Sequence, residues 1–138
     1  MIRTSQVFEV LQRVPFYDVD AMQIVWHGNY FNYFENARVA LFTSLGVDLF
    51  EFYRKTQCLF PIIRTSTKHI YPLRYRDEFI CKATVVEGKS KIIVDFEIRL
   101  KDEGKLCTRG RTEQIAVKAP EMEIMYSIPE EIRVALGF

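Results

Sequence analysis

Cysteine is scarce here: Cys58, Cys81 and Cys107 are odd in number, far apart and without C-x-x-C spacing, which excludes a disulfide framework and a cysteine metal or redox pair. Charge of one sign is also missing. Nineteen basic against eighteen acidic residues leave a formal net charge of +1, so no overall field draws in nucleic acid or an anionic membrane, and any anion site has to be a local patch. No run is long and apolar enough to span a membrane. The first ten residues mix Arg3, Gln6 and Glu9 with apolar ones, which excludes a signal-peptide core and points to a cytoplasmic protein. Repeats, low-complexity tracts and Pro/Gly/Ser linkers are absent as well, so 1–138 reads as a single domain. Such a domain buries roughly 68% of its unfolded surface, and the hydrophobic content of 49% is that of an ordinary globular core.

What is there is organised. Tyr30, Phe34, Ala37, Leu41 and Leu45 recur at helical spacing, predicting a helix over 30–45 that stops at Gly46. Phe31, Tyr33 and Phe42 widen its apolar surface, which suggests a helix wrapped on several sides. Asn29 is a candidate N-cap, and Asp48 with Glu51 predicts a capping box for a second helix over 49–55. Strict alternation over 92–100 predicts a strand, with hairpin turns joining it to strands over 79–87 and 106–118. Extended runs over 7–17 and 59–71 carry prolines that imply edges, bulges or ends, and Pro129 can open a short terminal helix holding Ile132 and Leu136. The expected class is α+β, a curved antiparallel sheet of about five strands wrapped around one long central helix, with four strands following the helix in antiparallel succession.

The chemistry gathers in the segment before that helix. Asp20 and His27 stand seven residues apart in a loop that ends where the helix begins. The first helical amides have no internal partners and sit at the positive end of the dipole, so they can polarise a carbonyl oxygen. A carboxylate, an imidazole and free amides together suit acyl transfer, with the carboxylate either attacking the carbonyl carbon or deprotonating a water. A thioester is the natural substrate, because its thiolate leaves without a strong general acid.

The string D-x-D-A-x-x-I-V-W-H-x-N-Y-x-x-Y-F-E-x-A-R over 18–38, about a fifth of the chain once continuations such as Leu45-Gly46 are counted, resembles the signature of the 4-hydroxybenzoyl-CoA thioesterase family of hotdog proteins, which includes the acyl-CoA thioesterases associated with the Tol-Pal system. The stretch His69-Ile70-Tyr71-Pro72-Leu73-Arg74-Tyr75-Arg76-Asp77-Glu78 is more loosely similar to the same family. The resemblance implies a hotdog homodimer, often assembled into a homotetramer, with sheets joined edge to edge and active sites formed between subunits. It implies Asp20 as the catalytic aspartate, His27 as its partner, and the helix from about Asn29 as the source of polarising amides. Trp26, Gly28, Asn29 and Tyr30 are candidate substrate-binding residues, and Arg74, Lys89 and Lys91 are candidates for the phosphates of coenzyme A. Coenzyme A belongs to the substrate, acyl carrier protein is an alternative carrier, and neither metal nor organic cofactor is expected. Met22-Gln23 departs from the one or two glycines common in relatives, and Phe16 from a tyrosine.

Other residues read as structural: Asp18 bonding its own turn, His69, and Glu35 paired with Arg38. Two rival functions share the fold, a hydratase or dehydratase on acyl thioesters and a non-catalytic acyl-binding protein.

Overall fold

The computed structural model describes residues 6–138, so part of the N-terminal stretch read for a leader lies outside the described residues. The chain is α+β. Its main sheet has five antiparallel strands in the order β1-β4-β5-β6-β3, formed by β1 (Val7–Arg13), β3 (Ile62–His69), β4 (Glu78–Glu87), β5 (Ile92–Leu100) and β6 (Leu106–Gln114). A small second sheet joins β2 (Cys58–Leu59), β7 (Ala116–Lys118) and β8 (Glu123–Met125) in the order β2-β7-β8. Among the described residues no helix is long and apolar enough to cross a membrane.

The meander β4-β5-β6 follows the alternation in the sequence. Phe79, Cys81, Ala83 and Val85 face inward from β4, and Ile92, Val94, Phe96 and Ile98 from β5. Against them lies α1 (Tyr30–Ser44), with Gly46 following at φ 72°. Phe34 stacks on Phe96 with ring centroids 4.6 Å apart. That approach needs Gly110 in β6, where an added Cβ would come within 2.4 Å of the Phe34 ring.

Pro15 and Pro61 end or break the extended runs as expected, while three expectations are corrected: the unbroken strand over 106–118, the place of β3, and the wrapping of α1. The strand over 7–17 stops at Arg13, because Pro15 cannot donate to a ladder, and a 3-10 turn, Phe16–Asp18, follows. The run over 59–71 breaks around Pro61 into β2 and β3, and the run over 106–118 breaks at Ile115, whose N–H turns to the Pro61 carbonyl, so its two halves join different sheets. β3 does not precede β4 in space; it crosses to the far edge beside β6. Its polar sequence, Arg64 to His69, suits an edge and could not fill a central position. Finally, α1 buries one stripe, Tyr30, Tyr33, Phe34, Ala37, Arg38, Leu41 and Phe42, while Phe31 and Val39 stay 39% and 56% exposed, so the sheet does not wrap it on several sides.

The second helix, α2 (Leu49–Thr56), starts as expected, with the Asp48 carboxylate accepting from the Glu51 amide at 3.0 Å. Glu51 turns its own carboxylate to Arg54. The terminal helix α3 (Glu130–Ala135) follows Pro129 and buries Ile132.

Candidate active site at the entry to the long helix

The loop between β1 and α1 is held by Asp18. Its carbonyl accepts from the Trp26 amide and from the Asn29 side chain, each at 2.9 Å, and its carboxylate accepts the Tyr33 hydroxyl at 2.6 Å. Burial, and then the neighbouring Asp18 carboxylate, hold the Tyr33 hydroxyl well above the usual phenol range. Asp18 is thus structural, though its side chain reaches α1 rather than its own turn.

Two residues on, Asp20 opens a tight turn. Its N–H donates to the Ile24 carbonyl and its carbonyl accepts from Gln23, both at 2.9 Å, while Oδ1 accepts from the Met22 amide at 2.8 Å. Gln23 adopts φ 65°, a left-handed conformation that glycine takes without strain. The Met22-Gln23 departure therefore keeps the turn at a backbone cost. A bridge between Val19 and Val25 closes this small hairpin, and a second bridge ties Ile24 to Arg74.

The turn aims Asp20 at a cavity of about 320 Å³ that it shares with His27, His69 and Tyr30, walled by apolar groups including Met22 and Tyr71. Tyr30 is anchored by the Leu73 amide, which donates to its hydroxyl at 3.2 Å, and burial raises the phenol. The His69 ring sits edge-on to Tyr30 at 4.7 Å; burial first, and then the His27 charge, lower the His69 imidazole. Sequence reasoning left His69 as structural. The signal available was the register: His69 ends β3 opposite Thr108, an inward-facing buried position, so its side chain falls on the helix side of the sheet.

The amides differ from expectation. The helix is entered through a 3-10 turn, His27–Asn29, in which the Asn29 N–H donates to Trp26 and the Tyr30 N–H to His27. The amides that precede the first internal bond are those of His27 and Gly28, one residue or two earlier than Asn29. Asn29 makes no side-chain cap: its backbone is already helical, at φ −72° and ψ −17°, and its side chain turns Nδ2 to the Asp18 carbonyl. Trp26, 50% exposed, lays its ring over Gly28, where any Cβ would collide with it at 2.1 Å, and lies 5.1 Å from the His27 ring.

The basic candidates are not gathered here. Arg74 borders the loop through its backbone, donating its N–H to Asp77 at 2.8 Å, with its side chain exposed. Lys91 pairs with Glu113 at 3.0 Å, and Lys89 lies in the β4-β5 turn. Both sit at the Gln114 end of β6, six residues from Thr108, or about 20 Å along the strand. Arg38 pairs with Glu35 at 3.2 Å and, buried, also donates to Thr112 and Gln114. Among the described residues no cluster of three or more His, Cys, Asp or Glu side chains could hold a metal ion.

Comparison with known proteins agrees with this architecture. Residues 22–107 match the model of the thioesterase superfamily, a span that opens two residues after Asp20. A putative esterase of Aquifex aeolicus is 30% identical over 88% of this chain and 91% of its own length, and a putative esterase of Synechocystis is 26% identical over 94% and 78%. The crystal structure of a 1,4-dihydroxy-2-naphthoyl-CoA thioesterase from Synechocystis superposes with a TM-score of 0.86, at 18% identity, over 94% of this chain and 95% of that one. The fold is the hotdog, and with more than half of its length matched, this chain belongs to the thioesterase superfamily and is a thioester hydrolase.

Proposed function

We propose that this protein hydrolyses acyl-CoA thioesters to the free acid and coenzyme A, with Asp20 as the catalytic carboxylate. The observation that carries the reading is the cavity at the start of α1 that Asp20 shares with both histidines. A thioester placed there meets the His27 and Gly28 amides at its carbonyl oxygen and the Asp20 carboxylate at its carbonyl carbon. The Met22 amide occupies Oδ1 and orients the group, leaving Oδ2 to attack the carbon or to take a proton from water. His27, exposed at the rim, orients the carbonyl or meets the departing sulfur.

The same reading includes a homodimer. Among the described residues β3 is hydrogen-bonded on one side only, to β6, and its residues are almost all exposed; such an edge pairs readily with a second copy. An antiparallel pairing of two β3 strands turns the partner's Gln114 end toward this chain's Asp20 cavity, which would return Lys89 and Lys91 to a neighbouring site as phosphate ligands. Supplying a panel of acyl-CoAs and trapping released thiol tests the reaction. Free coenzyme A has to appear with the wild type and disappear with Asp20→Asn; hydration of crotonyl-CoA without thiol release would overturn the assignment.

A further inference from the structure

The five-stranded sheet has a second face, turned away from α1 and from the Asp20 cavity. Side chains alternate between the two faces, so the neighbours of the inward residues on β4, β5, β6 and β3 point outward together. They form cross-strand rows: Lys82, Glu97, Arg109 and Lys68 in one, Thr84, Asp95, Arg111 and Ser66 in the next. Between these rows runs a trough of about 530 Å³.

The acids of the trough are already engaged. Arg111 grips both oxygens of Asp95 at 2.6 and 2.9 Å, and Glu97 lies between Arg99 at 2.7 Å and Lys82 at 4.0 Å. Lys68 and Arg109 stand directly opposite one another at the β3 end, and among the described residues neither has a carboxylate within ion-pair distance. Like charges facing each other across an antiparallel pair work against the sheet. A homodimer formed through β3 does not neutralise them, since Ile62–His69 contains no acidic residue. The net charge of +1 conceals a local surplus: the outward positions of β3 and β6 carry Arg64, Lys68, Arg109 and Arg111 against Glu113 alone, and Lys91 already holds Glu113.

We propose that the β3 end of this trough is a binding site for a phosphate group, carried by a small polar molecule other than the substrate. Neighbouring strands lie about 4.8 Å apart and alternate residues of one strand about 6.8 Å, so Arg109, Lys68, Ser66 and Arg111 stand at the corners of a rectangle of that size. A phosphate seated over its centre receives charge-assisted hydrogen bonds from Lys68 and Arg109 and one from the Ser66 hydroxyl. Arg111 stays on Asp95 and adds its field. The trough continues toward Thr84 and Lys82, where it has room and polar walls for the body of a phosphate monoester. The sheet itself stands between this site and Asp20, so the phosphate ligand and the thioester occupy opposite faces.

The test is calorimetric titration of the full chain with inorganic phosphate and with glucose 6-phosphate, each against chloride at equal ionic strength. Wild type should bind one phosphate per chain with a dissociation constant of about 1 mM or tighter. Lys68→Gln combined with Arg109→Gln should weaken both ligands at least about tenfold. Arg99→Gln, an outward cation that does not line the trough, should change neither. Thermal scans add a readout with opposite signs. In chloride the double variant should melt at or above wild type, because a like-charge pair is gone; in phosphate only wild type should gain. Phosphate acting no differently from chloride, or binding retained by the double variant, overturns the proposal. So does a loss of coenzyme A affinity of about tenfold in that variant, because the trough would then belong to the substrate site. None of these readouts needs turnover, so a protein that cleaves no thioester but passes them keeps the phosphate site and loses only the thioesterase reading.

Discussion

Two regions hold α1 to the sheet, and they do so by different physics. The β4-β5-β6 meander grips it with apolar surface, Phe34 on Phe96 and Ala37 and Leu41 against fully buried strands. The loop over 15–29 grips it with directed polar bonds, Asp18 to Tyr33 and Asn29 to Asp18. Apolar packing is non-directional and proportional to area, so it fixes where the helix lies but not where a carboxylate points. Hydrogen bonds fix direction. The consequence is a division of labour in which the meander carries stability and the loop spends polar groups on orienting Asp20.

The largest effect that separates the two regions is expected at Asp20. Replacing it with asparagine preserves an oxygen for the Met22 amide, so the thermal midpoint should stay within a degree or two while kcat for thioester release falls about 10²- to 10⁴-fold. A matching loss of stability would show that this aspartate belongs to the scaffold after all. Next comes the meander. Gly110→Ala drives a methyl group into the Phe34 ring, and unfolding by denaturant should register a loss of about 2–3 kcal/mol, partly restored by adding Phe34→Leu. Indifference to the alanine would mean that α1 is held elsewhere. A smaller effect is expected at the loop's own latch: Tyr33→Phe leaves the Asp18 carboxylate without its 2.6 Å donor and should cost about 1–2 kcal/mol, with turnover falling far less than in Asp20→Asn.

The same contrast explains what could be read from the sequence. The strand over 92–100 was legible to the residue, because a buried face and a wetter face impose a period of two that nothing interrupts. Helix α1 was legible for the same reason at period 3.6, with its end misplaced by one residue. The position of β3 was not, since Arg64 to His69 carry no apolar alternation and its partner residues in β6, from Thr108 to Gln114, lie far along the chain, beyond β4 and β5. Local pattern does not encode such a crossing. Around the site, the loop motif pointed to Asp20 and His27, which do line one cavity. It could not reveal His69, which arrives there only through the β3-β6 register, nor the 3-10 entry that moves the first unbonded amides back to His27 and Gly28. Lys89 and Lys91 were suggested by charge alone, and charge does not say at which end of a strand a residue sits.

The smallest predicted effect concerns the two imidazoles that the fold brings together. Desolvation of its ring against Tyr30 disfavours the charged form of His69, and the His27 charge adds to that. Its folded pKa is therefore lower than the ordinary value near 6.5, so the unfolded chain binds more protons in the interval below about pH 6.5. Any stability linked to His69 is complete above that pH and declines as the pH falls toward the folded value. Proton NMR should place the His69 titration below the ordinary histidine range. In His27→Asn the His69 midpoint should move upward but not reach the ordinary value, because burial, the larger cause, remains. A midpoint unchanged by removing His27 would mean that the two rings do not sense one another, and that the loop and the edge strand are further apart in solution than a shared cavity requires.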